Sequence, residues 1–398
     1  MVDELVKDYE SFKSLKKQTD DLRAKRNIIS QEINDLKKAK KDASAQLKQA
    51  SEIPKEIAEL EEDLQLLNVE INKKLLQIPN LLDLSVPEGK EAADNVEVKK
   101  WGKIPKYNFE LVSHTELIEK MGYAEFEAGR QNAGQGFNYL IDEMAVLDNA
   151  LQRYGVDCLL KKGFKLVVPP LMLNFETLLG ALNGLQDFEQ VVYKVDKEDL
   201  YLIGTAEHAL VSLYKNKLIN AKDLPIKLCA VTPCFRKEIG AHGVDTKGLY
   251  RVHQFNKVEQ VVYVHPKNSE KTLKEMQSIT EEFVQSLEIP YRVIEICSGD
   301  LGNKFAKQFD IEAWFPRQNK YGEITSAGSC TDYQARALNI KFQEGQEKGY
   351  VHILNNTMIA TSRVMVAIIE NFQQKDGSIK IPKALHPYTK FKEIKVKK

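Results

Sequence analysis

The chain has 398 residues, 43% of them hydrophobic, with 57 basic and 57 acidic side chains. That length exceeds one ordinary hydrophobic core and sets two domains as the expectation. A formal net charge of zero removes any global footprint for nucleic acid, so such a contact must come from a local patch.

The opening MVDELVKDYE has neither the basic stretch nor the apolar stretch of a signal peptide, and no apolar run reaches membrane-spanning length. The five cysteines, Cys158, Cys229, Cys234, Cys297 and Cys330, form no CxxC pair, and their number is odd. That argues against a disulfide framework and against structural zinc. A cytoplasmic protein with reduced thiols and no membrane contact is expected.

Residues 4–78 contain no glycine and a single proline, Pro54. Leu15, Leu22, Ile29 and Leu36 recur every seven residues, with Phe12 and Ile33 beside them. After Pro54, Ile57, Leu60, Leu64, Leu67 and Ile71 alternate three and four apart. These are heptad seams of coiled-coil helices. A break near Ser51–Pro54, with Ser51 as cap, predicts an antiparallel helical hairpin. The segment LKKAKKDASAQLK at its tip carries Lys37, Lys38, Lys40, Lys41 and Lys48 against one acid, Asp42. It is either a solvated helix end or a phosphate-binding tip.

The prolines and acids of IPNLLDLSVPEGKEAADN mark an irregular linker. Domains of 1–80, 81–106 and 107–398 follow. Beyond the linker, GFKLVVPPLM, DLYLIGTAE, IKLCAVTPCFRKE, LYRVHQFNKVEQVVYV and YRVIEICSGD are predicted strands. YLIDEMAVLDNALQRYGVDCLLKK, SEKTLKEMQSITEEFVQSL and TSRVMVAIIENFQ are predicted helices. Strands in succession point to an antiparallel sheet and an α+β fold.

No P-loop, dinucleotide fingerprint or HExxH motif occurs. In PCFRKEIGAHGVDTKGLYRVHQFNKVEQ, Arg236 and Glu238 share a strand face, as do Arg251, His253, Phe255, Lys257 and Glu259. An arginine grips phosphate bidentately, a carboxylate accepts from an exocyclic amine, and a phenylalanine stacks on a base. The segment is a nucleotide site or a charged surface hairpin. Glu323 and Ser326 offer hard oxygens suited to Mg²⁺, or form a polar turn. Arg363 opens an apolar helix, where an anion is favoured. Thr205 and Glu207 alternate on a strand and could hold a ligand ammonium.

Together these segments resemble the seryl-tRNA synthetases, class II aminoacyl-tRNA synthetases, over nearly the whole chain. FRKE and RVHQFNKVEQ resemble the two halves of motif 2. GFKLVVPPLM with Pro170 resembles motif 1, at the dimer interface, and LNNTMIATSRVMVAIIENFQ resembles motif 3. RNIIS in the first helix resembles the tRNA-binding arm. The resemblance implies a homodimer with an antiparallel catalytic sheet and a coiled-coil arm. It implies activation of L-serine with Mg·ATP and transfer to tRNA(Ser), with tRNA(Sec) a further candidate acceptor. By position, Arg236, Lys237, Glu238, Val252, Phe255, Glu323, Ile324, Thr325, Ser326 and Arg363 bind ATP. Arg236, Arg363 and Glu323 are the catalytic set, and Glu323 and Ser326 meet the metal. Thr205, Ala206, Glu207, Arg236, Glu259, Asn355 and Thr357 form the serine pocket. Arg23, Arg26, Lys37, Lys38, Lys40 and Lys41 face tRNA, and the loop Gly240–Gly248 is a candidate contact to its acceptor end. His253 and Lys257 are expected to be structural.

The sequence also departs from the family pattern. Ser362 and Asn356 stand where glycines are usual, and SAGS (Ser326–Ser329) replaces a cysteine- and asparagine-bearing version; the ATSR form resembles archaeal members. Met1 aligns inside the first arm helix, which implies that the family's short opening helix and strand are absent. The other readings are a non-catalytic paralogue that binds RNA or a partner, and a ligase that loads an amino acid onto a carrier protein.

Overall fold

The computed structural model describes residues 1–75, 77–182, 184, 188, 190–238 and 248–397. Two compact units divide the chain, Met1–Ile78 and Pro79–Lys398.

The first unit is a pair of long helices, α1 (Val2–Lys38) and α2 (Ser44–Leu75). Their seam is the heptad stripe. Ile29, Ile33, Ile53 and Ile57 are buried together, flanked by Leu22 and Ala50. Burying such a stripe stabilises helices that would be marginal alone. Two ion pairs cross the seam, Lys74–Asp8 at 2.7 Å and Arg23–Glu61 at 2.8 Å.

The break falls earlier than Ser51–Pro54. The chain turns at residues 39–43, where the Asp42 carboxylate accepts the Ser44 amide at 3.0 Å and its hydroxyl at 2.5 Å. Ser51 caps nothing; its hydroxyl donates to the Lys48 carbonyl at 2.7 Å within α2. Pro54 lies inside α2, beside the buried Ile53 and Ile57. Packing on both sides of the proline offsets its missing hydrogen bond, so the helix continues. Lys37, Lys38, Lys40 and Lys41 therefore do lie at the tip, all exposed, with Lys40 in the left-handed region at φ 53°.

The second unit is built on an eight-stranded sheet. Its strands are β1 (Val96–Trp101), β2 (Lys165–Leu166), β3 (Ile226–Phe235), β4 (Gln254–Val264), β5 (Tyr291–Glu295), β6 (Lys307–Phe315), β7 (Lys320–Ser329) and β8 (His352–Ala360). Across the sheet the order is β1-β5-β6-β7-β8-β4-β3-β2. All neighbours are antiparallel except β2, which runs parallel to β3. The sheet is thus mixed, with one short parallel edge strand. Residues 96–101, inside the span read as linker, form its other edge.

Helices α3 (Glu143–Lys161), α4 (Ala206–Ser212), α5 (Ser269–Ser286) and α6 (Thr361–Phe372) complete the parts that matter for the site. The apolar stripe of α5, including Leu273, Met276, Phe283 and Val284, joins one core with Val364 to Ile369 of α6 and with Val258 and Val262 of β4. Gly155 lets α3 approach closely: a Cβ there would come within 2.6 Å of Ile359 Cδ1 on β8. With one face of β4 committed to this core, Phe255, Lys257 and Glu259 point from the other.

Candidate active site

The opposite face of β4 lines a cavity of about 270 Å³. Arg236, Glu238, Val252, Phe255, Glu323, Ile324, Thr325, Ser326 and Arg363 line it, together with Thr205, Glu207, Glu259, Asn355 and Thr357. The four segments singled out in the sequence therefore meet in one place. Ala206 and Lys237 are not on its wall; the Lys237 amide instead donates to the Val191 carbonyl at 2.9 Å. Of the loop Gly240–Gly248, residues 240–247 lie outside the described residues.

At one end two buried carboxylates are held by opposite partners. Thr205 does not alternate with Glu207 along a strand. It is the N-cap of α4, its hydroxyl accepting the Glu207 amide at 3.2 Å and donating to Glu259 at 3.1 Å. A threonine in that position satisfies an orphan helix amide and keeps a proton for the neighbouring acid. Lys257 pairs with Glu259 at 2.7 Å, and Thr357 donates to Glu259 at 3.4 Å. Glu207 accepts from Lys304 at 2.5 Å, Gln334 at 2.8 Å and Asn355 at 3.2 Å.

Burial would raise the Glu207 pKa, but the Lys304 ammonium together with the other groups around it outweighs burial and holds the carboxylate below its ordinary range. Burial would likewise lower Lys304, and Glu207 keeps it raised. Burial pushes His208 down to about 3, so it is neutral there.

At the other end Arg236 donates through Nε to the Gly204 carbonyl at 3.1 Å and lies 5.5 Å from the Phe255 ring centre. Glu238 does not extend the strand beside Arg236. β3 ends at Phe235, Glu238 adopts φ 48°, and its carboxylate pairs with Arg251 at 2.9 Å. Arg363 meets the Glu323 carboxylate at 2.9 Å and lies 5.1 Å from the Tyr250 ring centre.

Hard oxygens cluster on β6 and β7. Asp310 pairs with Ser326 across the two strands, and Gln308 donates to both at 3.0 Å. Burial, reinforced by the nearby Glu323, pushes the Asp310 carboxyl up to about 8. Burial would also raise Glu323, but Arg363 outweighs it and holds that group down. The buried Thr325 hydroxyl, on the cavity wall, has no hydrogen-bond partner among the described residues. No cluster of three or more His, Cys, Asp or Glu that could hold a metal occurs among the described residues. Two carboxylates, one of them protonated for want of a countercharge, and a hydroxyl fit a hard cation that takes its remaining ligands from phosphates.

A raised carboxyl binds a proton in the folded state that the unfolded chain releases near pH ~4. Its destabilising effect grows from there towards pH 8 and then levels off. Asp310→Asn removes the effect. In metal-free thermal melts the Tm gap between variant and wild type should widen from about pH 5 to about pH 8 and stay constant above that range.

Lys257 and Lys304 are wall residues that sequence reasoning missed. Alternation placed Lys257 on the correct face, beside Phe255 and Glu259, and that signal was the better guide. Lys304 carries no local signal, because its partner lies 97 positions away. His253 is not on the cavity wall; its ring stacks 5.2 Å from Phe137 and is hydrogen-bonded to Tyr193 at 2.8 Å.

Residues 1–82 match the family described as Seryl-tRNA synthetase N-terminal domain. Residues 191–372 match that described as tRNA synthetase class II core domain (G, H, P, S and T). A Serine–tRNA ligase from Methanocella arvoryzae is 46% identical over 390 residues, covering 97% of this chain and 92% of the relative. The crystal structure of seryl-tRNA synthetase from Pyrococcus horikoshii complexed with ATP superposes with a TM-score of 0.88 at 43% identity, covering 100% of this chain and 94% of that one. The cytoplasmic Serine-tRNA ligase from Naegleria fowleri in complex with AMP gives 0.83 at 35% identity, covering 100% and 92%. The chain belongs to the seryl-tRNA synthetase family of class II aminoacyl-tRNA synthetases.

Proposed function

We propose that the cavity activates L-serine with ATP to seryl-adenylate, and that the seryl group then moves to the 3′-terminal adenosine of tRNA(Ser). One observation carries this reading: paired arginines with an aromatic ring, and paired carboxylates with hydroxyls, line the same cavity. The serine carboxylate is itself the nucleophile at the α-phosphorus, with pyrophosphate leaving, so no activated side chain is required. Catalysis is then positioning and charge neutralisation. Arg236 grips the α-phosphate, Arg363 the β- and γ-phosphates, Phe255 stacks on adenine, and Glu238 accepts from its amine. Thr205, Glu259, Asn355 and Thr357 hold serine. Hydrogen bonds to its hydroxyl disfavour alanine and glycine, whose binding would leave those groups unpaired.

Glu323 and Ser326, with Asp310 added by its position beside them, would hold Mg²⁺. The ion would neutralise charge on the phosphates. Support for ATP as substrate comes from the ATP complex of the Pyrococcus relative. The exposed apolar Leu166, Val168 and Met172 of the motif 1 segment support a homodimer. No helix among the described residues is long and apolar enough to cross a membrane, and a cytoplasmic location fits the free cysteines.

Isolation of adenylate tests the first step. Protein mixed with radiolabelled ATP, Mg²⁺ and serine should retain about one adenylate per cavity through gel filtration. Retention with glycine or alanine in place of serine contradicts the reading.

The lysine tip of the arm is proposed to meet the tRNA backbone, together with Arg26; Arg23 already pairs with Glu61. Recognition of RNA by shape and phosphate suits a lysine tip. Changing Lys37, Lys38, Lys40 and Lys41 together to alanine should weaken tRNA charging and flatten its salt dependence by up to about four in log–log slope. Serine activation should be unchanged. Loss of both steps together would refute the separation of arm from catalytic cavity.

A further inference from the structure

Asp148 on α3 is a buried carboxylate that the proposed reaction does not use, 8% exposed and absent from the wall of the main cavity. Its Oδ2 accepts from Asn256 Nδ2 at 2.8 Å and from Gln152 Nε2 at 2.6 Å. Asn256 follows Phe255 on β4. The hydroxyl of Thr361, the first residue of α6, donates to the Asn256 carbonyl at 3.1 Å. Arg363 stands two residues further along α6. Asp148 thus ties α3 to β4, and Asn256 ties β4 to α6, beside both walls of the nucleotide end.

A second cavity of about 180 Å³ gives this tie a purpose. Asp148, Gln254, Asn256 and Thr361 line it, and so does Phe255, which also lines the main cavity. Phe255 therefore stands between two cavities rather than in a closed core. Close packing, which fixes aromatic rings in a core, fixes this one less. Its position depends on the neighbouring Asn256, whose side chain is held by Asp148 and whose carbonyl is held by Thr361.

We propose that Asp148 is a positioning residue for ATP: through Asn256 and Thr361 it holds Phe255 and Arg363 in register with each other. The proposal rests on reading the main cavity as the ATP site. A carboxyl oxygen suits the task because it accepts several donors at once, here Asn256 and Gln152. Displacements of about 1 Å at such a site cost up to ~10²-fold in rate.

The test uses the full chain as wild type, Asp148→Ala, Asp148→Asn and Phe255→Ala. Serine-dependent ATP–pyrophosphate exchange gives KM for ATP and for serine, calorimetry gives Kd for ATP, and thermal melts report folding. Asp148→Ala should raise KM and Kd for ATP about tenfold while serine KM stays within about twofold. Asp148→Asn keeps an acceptor oxygen and should recover most of the loss. Should Asp148→Ala fail to fold, Asn256→Ala severs the same link from the strand side and carries the same expectation. A lower Tm with unchanged ATP constants, or equal rises for ATP and serine, overturns the proposal. If Phe255→Ala binds ATP like wild type, the ATP reading itself fails and the proposal with it. If Phe255→Ala weakens ATP and Asp148→Ala does not, the proposal alone fails.

Discussion

Arg363→Ala should lower the rate of serine-dependent ATP–pyrophosphate exchange by about 10³-fold, the scale of removing one preorganised cation from a phosphoryl-transfer site. Arg363 is half-buried at the start of α6, where the helix amides already favour an anion. The Glu323 carboxylate at 2.9 Å holds its guanidinium in place before any ligand arrives. Burial would lower its pKa, but Glu323, helped by Tyr250 and Glu238, outweighs burial and keeps the charge. Lysine should rescue little, because a point charge cannot reproduce the fork that meets two phosphate oxygens. A single-turnover assay at saturating ATP separates loss of rate from loss of affinity. An exchange rate within about tenfold of wild type would remove Arg363 from the catalytic set.

Lys304→Met should destabilise the catalytic unit by about 3–5 kcal/mol, the cost of leaving one partner of a buried ion pair uncompensated. Both partners of Lys304–Glu207 are nearly inaccessible, at 7% and 6% side-chain exposure. Methionine keeps the length and loses the charge, so Glu207 remains with only Gln334 and Asn355. Adding Glu207→Gln removes the stranded charge and should recover most of the stability. Urea unfolding of both variants measures this.

The pH dependence has a definite sign. In wild type the depressed Glu207 contributes stability above its unfolded pKa near ~4 and loses it as pH falls through the folded value. The raised Lys304 contributes below its unfolded pKa near ~10 and loses it as pH rises through the folded value. Lys304→Met strands Glu207 as an unpaired buried acid. Its pKa then rises, and the variant should gain stability relative to wild type as pH falls towards about 5. Equal stability of wild type and single variant at neutral pH would mean that the ion pair is not formed.

The parts legible in the sequence were those with a local period. The arm announced itself because a coiled-coil seam repeats along each helix: Ile29 and Ile33 face Ile53 and Ile57 as the heptads require. β4 was legible by alternation, which put Phe255, Lys257 and Glu259 on one face. Non-local features were not legible. Pro54 looked like a helix boundary because its cost is local, whereas the packing that offsets it comes from the other helix. Thr205 and Glu207 looked like a strand pair and are a helix cap with its first-turn acid; both arrangements put them close together, and both line the cavity. Glu238 was placed by strand alternation, but its left-handed backbone and its bond to Arg251 set it apart from the strand that ends at Phe235. Lys304 reached the cavity wall only through folding, since its partner Glu207 lies 97 positions away, and Asp310 comes beside Ser326 only by the pairing of β6 with β7.

Serine-dependent ATP–pyrophosphate exchange, run across the twenty amino acids with purified full-length chain, tests the central claim most directly. Exchange with serine should lie far above that with every other amino acid and be abolished in the absence of Mg²⁺. Exchange with alanine or glycine and none with serine would contradict it.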